Sequence, residues 1–533
     1  MKRDKRLTPE RIWKLYRRGI GFNDRIRLDE EVETNENFFI GKQWEGVQSN
    51  GLPTPVFNFL KRVTLFTVSS ISSDNLKLNA QPLGSGGGRG ERYRVTGIIN
   101  RELERLFELG EIPALVRQYA RNAAVDGDGC TYTYWDGESG SIKTELVENT
   151  RVHFGNPCDR RVQSQPYIII ERMCLLDEAR RRAAEFGCDP ESIVPDDPER
   201  RLTYSEQADE TDRVTVLLYF YRDEKTGTVR CYECTRTVCL GERDLGLRLY
   251  PITWFNWDPR TDNYHGQSLI SGLIPNQIFI NKLFAMSMIS LMTTAYPKII
   301  YDKTRISRWD NRVGAAIGIS GGDVGTAARI IDPAQISPQI AQFIQLAVDY
   351  TQTFLGATPT AMGEGRPDNT SAILALQRAA STPHELTRRS LYASLEELGR
   401  IYIDFMAVYY GVRTVSSRLP DNIPERLARF AGVEPGSEVE VEFDFSALRD
   451  MSMDIRLDVG ASAYWSEIAS MQTLDNLLSR GKIDLEQYLE RVPDGYISQR
   501  QELLEGIRTS KRTMEKMQSV LSAQKVPADA GQL

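Results

Sequence analysis

The stretch from Gly266 to Lys298 constrains this chain more than any other. It reads "GQSLISGLIPNQIFINKLFAMSMISLMTTAYPK", and its one internal charge is Lys282. Leu273, Ile274, Ile278, Phe279, Leu283, Phe284, Met288, Ile289 and Met292 leave a helix here with no polar face, and such a helix is buried on every side. A membrane span is the rival reading. Lys282 and Lys298 enclose only fifteen uncharged residues, Ser and Thr among them, short of the ~20 apolar residues a bilayer requires. Burial against neighbouring helices is the expected state, with other copies of the chain as a source of cover.

The segments that follow alternate in kind. "KIIYDKTRISRWDNRVGAAIGISGGDVGTAARIID" reads as a small strand-rich insert. A second helical pattern then places Ile340, Phe343, Ile344, Ala347, Tyr350 and Phe354 at helical steps. Asp349 is the only charge between Pro333 and Gly363. The Gly/Pro-rich "TPTAMGEGRPDNTS" cannot continue either neighbouring helix. Beyond it, Leu391, Leu395, Leu398, Tyr402, Phe405 and Tyr409 form a seam for packing. Thr382, Pro383 and Glu385 fit the N-cap, N1 and N3 of a fresh helix start, which predicts a break near residues 380 to 383.

Before this region the pattern is mixed. Thr8 and Pro9 start a helix, Asn23 is read as the cap of a second, and Phe38, Phe39 and Trp44 are expected core anchors. A third helix over 58–72 leads into the strand "LKLNAQPL", and two more helices fill 91–124. Strands are expected in "CTYTYWD" and "IKTELV", and at 166–172, 212–222 and 227–234, with an exposed loop at "CDPESIVPDDPERR". After Tyr410 a loop and short helix precede "SEVEVEFDFS" and "MDIRLDVG", which alternate as strands and are expected to extend the earlier sheet. The C-terminal residues are helical, with stops at Gly481 and near Pro493 and a packing stripe of Leu503, Ile507, Met514, Met517 and Leu521. The fold class is therefore α+β.

Chemical motifs are scarce. "GSGGGRG" at 84–90 lacks GxGxxG spacing and no Lys-Ser or Lys-Thr follows it, so it reads as a linker. "DGDG" at 126–129 lacks the other ligands of a calcium loop and reads as a hairpin turn. Cys231, Cys234 and Cys239 have one CxxC spacing but no second pair, so buried thiols on strands are favoured over zinc. His153, His265 and His384 stand alone, without HExxH, GxSxG or a paired catalytic set. No catalytic, cofactor or metal residue is assigned. Arg305, Arg308 and Arg312 fall at helical spacing in the insert, as a basic face for DNA or an acidic partner, or as a solvated helix face.

The net charge of −7, from 66 basic and 73 acidic residues, argues against a tight DNA clamp, which carries a basic footprint. It suits a conduit through which DNA slides, or reports solubility alone. Seven cysteines make no disulfide framework. "MKRDKRLTPERIW" has a basic start but no apolar signal-peptide core.

"YHGQSLISGLIPNQIFIN" (264–281), "AYPKII" (295–300), "LGATPTAMGEGRPDNTSAILALQ" (355–377) and "LEELGRIY" (395–402), with "FFIGKQW" and "PTPVFNFLKRV" earlier, occur in an order that resembles the portal proteins of tailed double-stranded DNA bacteriophages. The resemblance implies a wing at 1–262, a first stem helix at 263–297, a clip at 298–335 and a second stem helix at 336–356. A tunnel loop at 357–370 and a kinked tunnel helix at 371–410 follow. Wing return strands at 411–462, a helical crown at 463–522 and a disordered tail at 523–533 complete it. It further implies a ring of about twelve copies at one capsid vertex, in the virion and assembled in the host cytoplasm. Double-stranded DNA would pass along the axis during packaging and ejection. The terminase large subunit and head-to-tail adaptors would dock on the clip, through Arg305, Arg308 and Arg312, alongside major capsid and scaffolding proteins. Loops from all copies would converge on the channel, where Arg366 and Asn369 touch phosphate while Glu364 and Asp368 keep that contact weak. No cofactor, ATPase or membrane is implied. The rivals are an enzyme with an unrecognised site and a membrane pore.

Overall fold

Thr8 accepts a hydrogen bond from the Arg11 N–H, and Pro9 takes the first helical position. That cap starts α1 (Pro9–Ile26) of a computed structural model describing residues 7–49, 51–72, 76–82, 89–195, 213–295, 298–310, 312, 314–331, 339–354, 384–418, 438–451, 453–458, 464–492, 503–504 and 506–507. Asn23 does not cap the next helix. It lies inside α1, buried, with its amide donating to the Thr150 carbonyl. The chain turns instead at Arg27, in the left-handed region at φ 55°, and α2 (Leu28–Ile40) follows. Next come α3 (Phe59–Ile71), β1 (Lys77–Pro82), α4 (Arg89–Leu109) and α5 (Ile112–Asp126). "DGDG" is not a hairpin turn: Gly127, at φ 96°, closes α5, and Asp128 opens β2 (Asp128–Asp136).

β3 (Ser141–Val147), β4 (Val152–Phe154), β5 (Tyr167–Leu175), α6 (Leu176–Glu185), β6 (Arg213–Arg222), β7 (Val229–Cys234), β8 (Cys239–Asp244) and β9 (Ile252–Asn256) continue the chain. They build two antiparallel sheets, ordered β4-β5-β6-β7-β8 and β3-β2-β9. β6 is buried along almost its whole length because both faces are covered. Leu217 and Tyr219 meet Ile12, Trp13 and Tyr16 of α1, while Val214 and Val216 meet Leu176, Ala179 and Ala183 of α6. This is the two-residue alternation of a strand. Ile193, in the segment expected to be an exposed loop, is buried in the second cluster.

The apolar stretch forms α7 (Ile274–Ala295), then β10 (Ile299–Tyr301), β11 (Ala328–Ile330) and α8 (Gln339–Phe354). α9 (Glu385–Tyr409) buries Leu391, Leu395, Leu398, Tyr402 and Phe405 as its seam predicts. Its first described residues differ from the expected start. His384 is the N-cap and makes no side-chain cap bond, while Glu385 pairs with Arg388 and Arg389; Thr382 and Pro383 lie outside the described residues.

β12 (Val412–Arg418), β13 (Glu438–Asp444) and β14 (Met453–Asp458) correct another expectation. They do not extend the earlier sheets. β13 pairs with β12, a strand where the residues after Tyr410 predict a loop, and β14 pairs with β1. α9 crosses the β1–β14 ribbon at Gly399, where a Cβ would stand 2.7 Å from Leu78 and 2.9 Å from Ile455. A side chain there would have to displace Leu78 and Ile455, which accounts for the glycine in "LEELGRIY".

These elements belong to one unit, Met1–Glu364 with Ala379–Asp458. A second comprises Gly365–Arg378 and Val459–Leu533. Its described helices are α10 (Tyr464–Ser479) and α11 (Leu485–Arg491). Gly481, at φ 63°, ends the turn after α10, and Asp484 with Gln487 forms a capping box on α11. No helix among the described residues is long and apolar enough to cross a membrane.

Candidate functional site

The approach to α7 is built around Asp128. Its Oδ1 accepts from the Gly266 N–H and from Asn256 Nδ2, each at 2.7 Å, and its Oδ2 meets His265 Nδ1 at 2.7 Å and Asn149 Nδ2 at 3.4 Å. Asp128 and His265 are 0% exposed. Trp254 and Tyr264 close on the imidazole ring, with Phe22 stacked beyond. Gly266 completes the knot, since a Cβ there would stand 2.9 Å from the Gly127 carbonyl. An aspartate–histidine pair suggests acid–base chemistry, but no substrate reaches side chains with no exposure. The knot fixes where the chain leaves the sheet toward α7.

The first half of α7 is held by a buried polar ladder. Gln277 Nε2 donates to the Phe57 carbonyl at 2.8 Å and to Asn281 Oδ1 at 3.0 Å. Gln277 Oε1 accepts the Leu60 N–H, and Asn281 Nδ2 donates to Gln43 Oε1 at 2.6 Å. Phe284 stacks on Phe57, with ring centres 4.0 Å apart. The second half lies bare. Leu291 is 64% exposed and Met292 54%. α8 packs against α7, yet Phe343 and Tyr350 are 56% and 57% exposed.

The insert between these helices is a small antiparallel ribbon, β10 against β11. Its arginines do not share a helical face, because no helix carries them. Arg305 folds inward onto the carbonyls of Gly321 and Asp323 and onto Thr326 Oγ1. Arg312 binds Asp310, whose carboxyl is held below the usual range by that pairing. Arg308 is exposed. Glu364, Arg366, Asp368 and Asn369, with the whole loop at 357–370, lie outside the described residues.

A cleft of about 810 Å³ opens between β2, β7, β8 and α9, with Trp135, Tyr409, Arg172, Arg182, Glu233 and Arg243 among its walls. Its arginines and Glu233 are matched by ion pairs. Glu233 sits between Arg182 and Arg243, and Arg172 pairs with Glu145 over the Tyr132 ring.

Sequence reasoning missed the Asp128 knot and the Gln277–Asn281 ladder. One signal for the ladder was present: two amides four residues apart in an otherwise apolar helix lie on one face. Nothing local marked the knot, whose members come from residues 128, 149, 256 and 265.

No curated protein matches the chain. A family model described as phage P22-like portal protein matches residues 159–462. That span runs from β5 through β6, β7, β8 and β9, the α7–insert–α8 excursion and α9 to β14, and so takes in the knot's Asn256 and His265, Gln277 and Asn281 on α7 and the insert. With the match extending over more than half of the 533 residues, the chain belongs to the phage P22-like portal protein family, which is structural and not a family of enzymes.

Proposed function

We propose that this chain is the repeating subunit of a portal ring of about twelve copies at one capsid vertex, with double-stranded DNA passing along its axis. The observation that carries the reading is the bare second half of α7 beside the apolar face of α8. Leu291, Met292, Phe343 and Tyr350 are all more than half exposed in the single chain. A contiguous apolar face of this kind marks an association surface. In a cyclic assembly one copy's face covers the next by a repeated head-to-tail contact. The α7–insert–α8 excursion acts as stem and clip, the two sheets as wing, and the described part of α9 as the end of the tunnel helix. The helices of the second unit act as crown.

The insert is the docking surface for the terminase large subunit and head-to-tail adaptors. Arg308 is its best candidate contact, since Arg305 and Arg312 already have partners within the insert. The loop at 357–370 meets DNA through Arg366 and Asn369, with Glu364 and Asp368 weakening the hold. Capsid and scaffolding proteins contact the outside, and assembly takes place in the host cytoplasm.

Light scattering at micromolar concentration tests the reading, with a closed ring many times 60.4 kDa as the expected result. A 60.4 kDa monomer at every salt concentration overturns it. Given rings, Arg308→Glu should preserve assembly and weaken terminase binding. Deletion of residues 363–367 should preserve assembly and impair DNA packaging. Unchanged binding and packaging would remove these two assignments while leaving the ring.

A further inference from the structure

Among the described residues no group of three or more His, Cys, Asp or Glu could hold a metal, yet two of the cysteines weighed for zinc do meet. At the tip of the β7–β8 hairpin the Thr235 N–H donates to the Val238 carbonyl at 2.9 Å, and the Val238 N–H returns to Thr235 Oγ1 at 3.1 Å. Thr235 and Val238 are thus the hydrogen-bonded pair that closes the turn. Antiparallel pairs alternate, so the next pair along is of the non-hydrogen-bonded kind, with Cα atoms about 4.5 Å apart. That next pair is Cys234 opposite Cys239. Such a spacing lies within the range of about 4.4 to 6.8 Å that a disulfide takes without backbone movement.

The two side chains also share a face. Cys234 belongs to the cluster of Ile12, Trp13, Tyr16 and Tyr232, and Cys239 packs against that same cluster. The register shift falls between Glu233 and Cys234, so the extra residue, Leu240, lies beyond the cysteine pair. Cys231 is three positions back and lines the cleft on the other side of the sheet. All seven cysteines are free thiols.

We infer that Cys234 and Cys239 are a redox modification site, a dithiol placed to close into a disulfide by exchange with a low-molecular-weight disulfide such as oxidised glutathione. Cys239, the more accessible of the two, attacks first as thiolate. The glutathione S–S bond breaks, one glutathione thiolate leaves, and Cys239 carries the other half as a mixed disulfide. Cys234 then attacks the Cys239 sulfur and expels the second glutathione. The two protons lost by the protein thiols go to the two glutathione thiolates, and the oxidant takes up both electrons. Burial pushes the Cys234 thiol well up, so the second step is the slow one and quickens as pH rises. The closed form fastens the hairpin tip beneath Trp13 and Tyr16. The inference does not depend on the portal reading.

The test uses the full-length reduced protein incubated with oxidised glutathione, then alkylated in denaturant and digested with trypsin. Trypsin cuts after Arg236, between the two cysteines, so a link joins two peptides that otherwise separate. The expected result is that joined pair with Cys231 alkylated, in a yield that rises between about pH 7 and about pH 8.5. Cys234→Ser should leave glutathione on Cys239. Should that core variant fail to fold, Cys239→Ser provides the second arm and should leave Cys234 alkylatable. The inference is overturned if Cys234 and Cys239 both remain alkylatable once the exposed Cys158 is fully modified. It is also overturned if either one links instead to another cysteine.

Discussion

The two halves of α7 are both mainly apolar, but the first buries one face closely while the second lies largely bare. Gln277, Ile280, Asn281 and Leu283 are enclosed, while Met286, Leu291 and Met292 stand in solvent. The buried face of the first half is covered by the segment from Gln43 to Leu60, which gives the helix three hydrogen-bond partners, the Phe57 carbonyl, the Leu60 N–H and Gln43 Oε1, and stacks Phe57 on Phe284. α8 packs against α7, yet the second half stays largely exposed. Apolarity states that a helix must be covered, and it is silent about which chain supplies the cover. The enclosed half is a matter of folding, and the open half a matter of association.

The largest expected effect lies at the anchor of the enclosed half. Asp128→Ala strips four groups of their common acceptor, with His265 at 0% exposure. Breaking a buried pair and its network costs about 4 kcal/mol or more. Urea unfolding of the soluble variant should show that loss or yield no folded protein. A loss below about 1 kcal/mol would mean that the knot is incidental.

Asn281→Ala comes next. It leaves Gln43 Oε1 without the donor it has at 2.6 Å, a change expected to cost about 2 kcal/mol in the same measurement. A neutral result would equate the two halves of α7 and break the comparison.

Asp126 supplies a pH test beside the anchor. Burial raises its carboxyl well above the ordinary value, with nearby Glu36 adding to the rise, and its Oδ1 has no hydrogen-bond partner. The folded state therefore holds this proton more tightly than the unfolded one. Stability contributed this way is full below the unfolded pKa and is lost as pH rises through the folded one. Asp126→Asn should raise the urea midpoint at neutral pH, with the gain shrinking as the solution is acidified toward the ordinary carboxylate range. A gain that grows on acidification contradicts the sign.

The smallest folding effect is expected at the open half. Leu291 is 64% exposed, so Leu291→Ala should change single-chain stability by less than about 0.5 kcal/mol. The same variant should shift the assembly equilibrium toward smaller species in light scattering. A large folding loss, or unaltered assembly, would show that the open half is not an interface.

Much of this was legible in the residues. Thr8–Pro9 fixed the start of α1, the Leu391 to Phe405 seam named the buried face of α9, and alternation marked β13 and β14 as strands. These are local signals with a period of their own, and a period survives without knowledge of the partner. The failures were also local in kind. Asn23 carries a capping residue's chemistry but is consumed by a carbonyl at Thr150, and "DGDG" carries turn chemistry but closes a helix. Arg305, Arg308 and Arg312 keep a helical spacing in a segment that folds as a ribbon, where Arg305 bonds carbonyls sixteen and eighteen residues away.

The α+β class, the helix–insert–helix order, the helix that needs outside cover and the family resemblance follow from the residues alone, because each rests on composition and spacing along the chain. That Asp128, Asn149, Asn256 and His265 are one site, that β14 returns to β1, and that Cys234 faces Cys239 is visible in the folded chain alone. Those pairings join positions between five and several hundred residues apart. Their energies come from burial and directed hydrogen bonds that exist only once the chain has closed on itself.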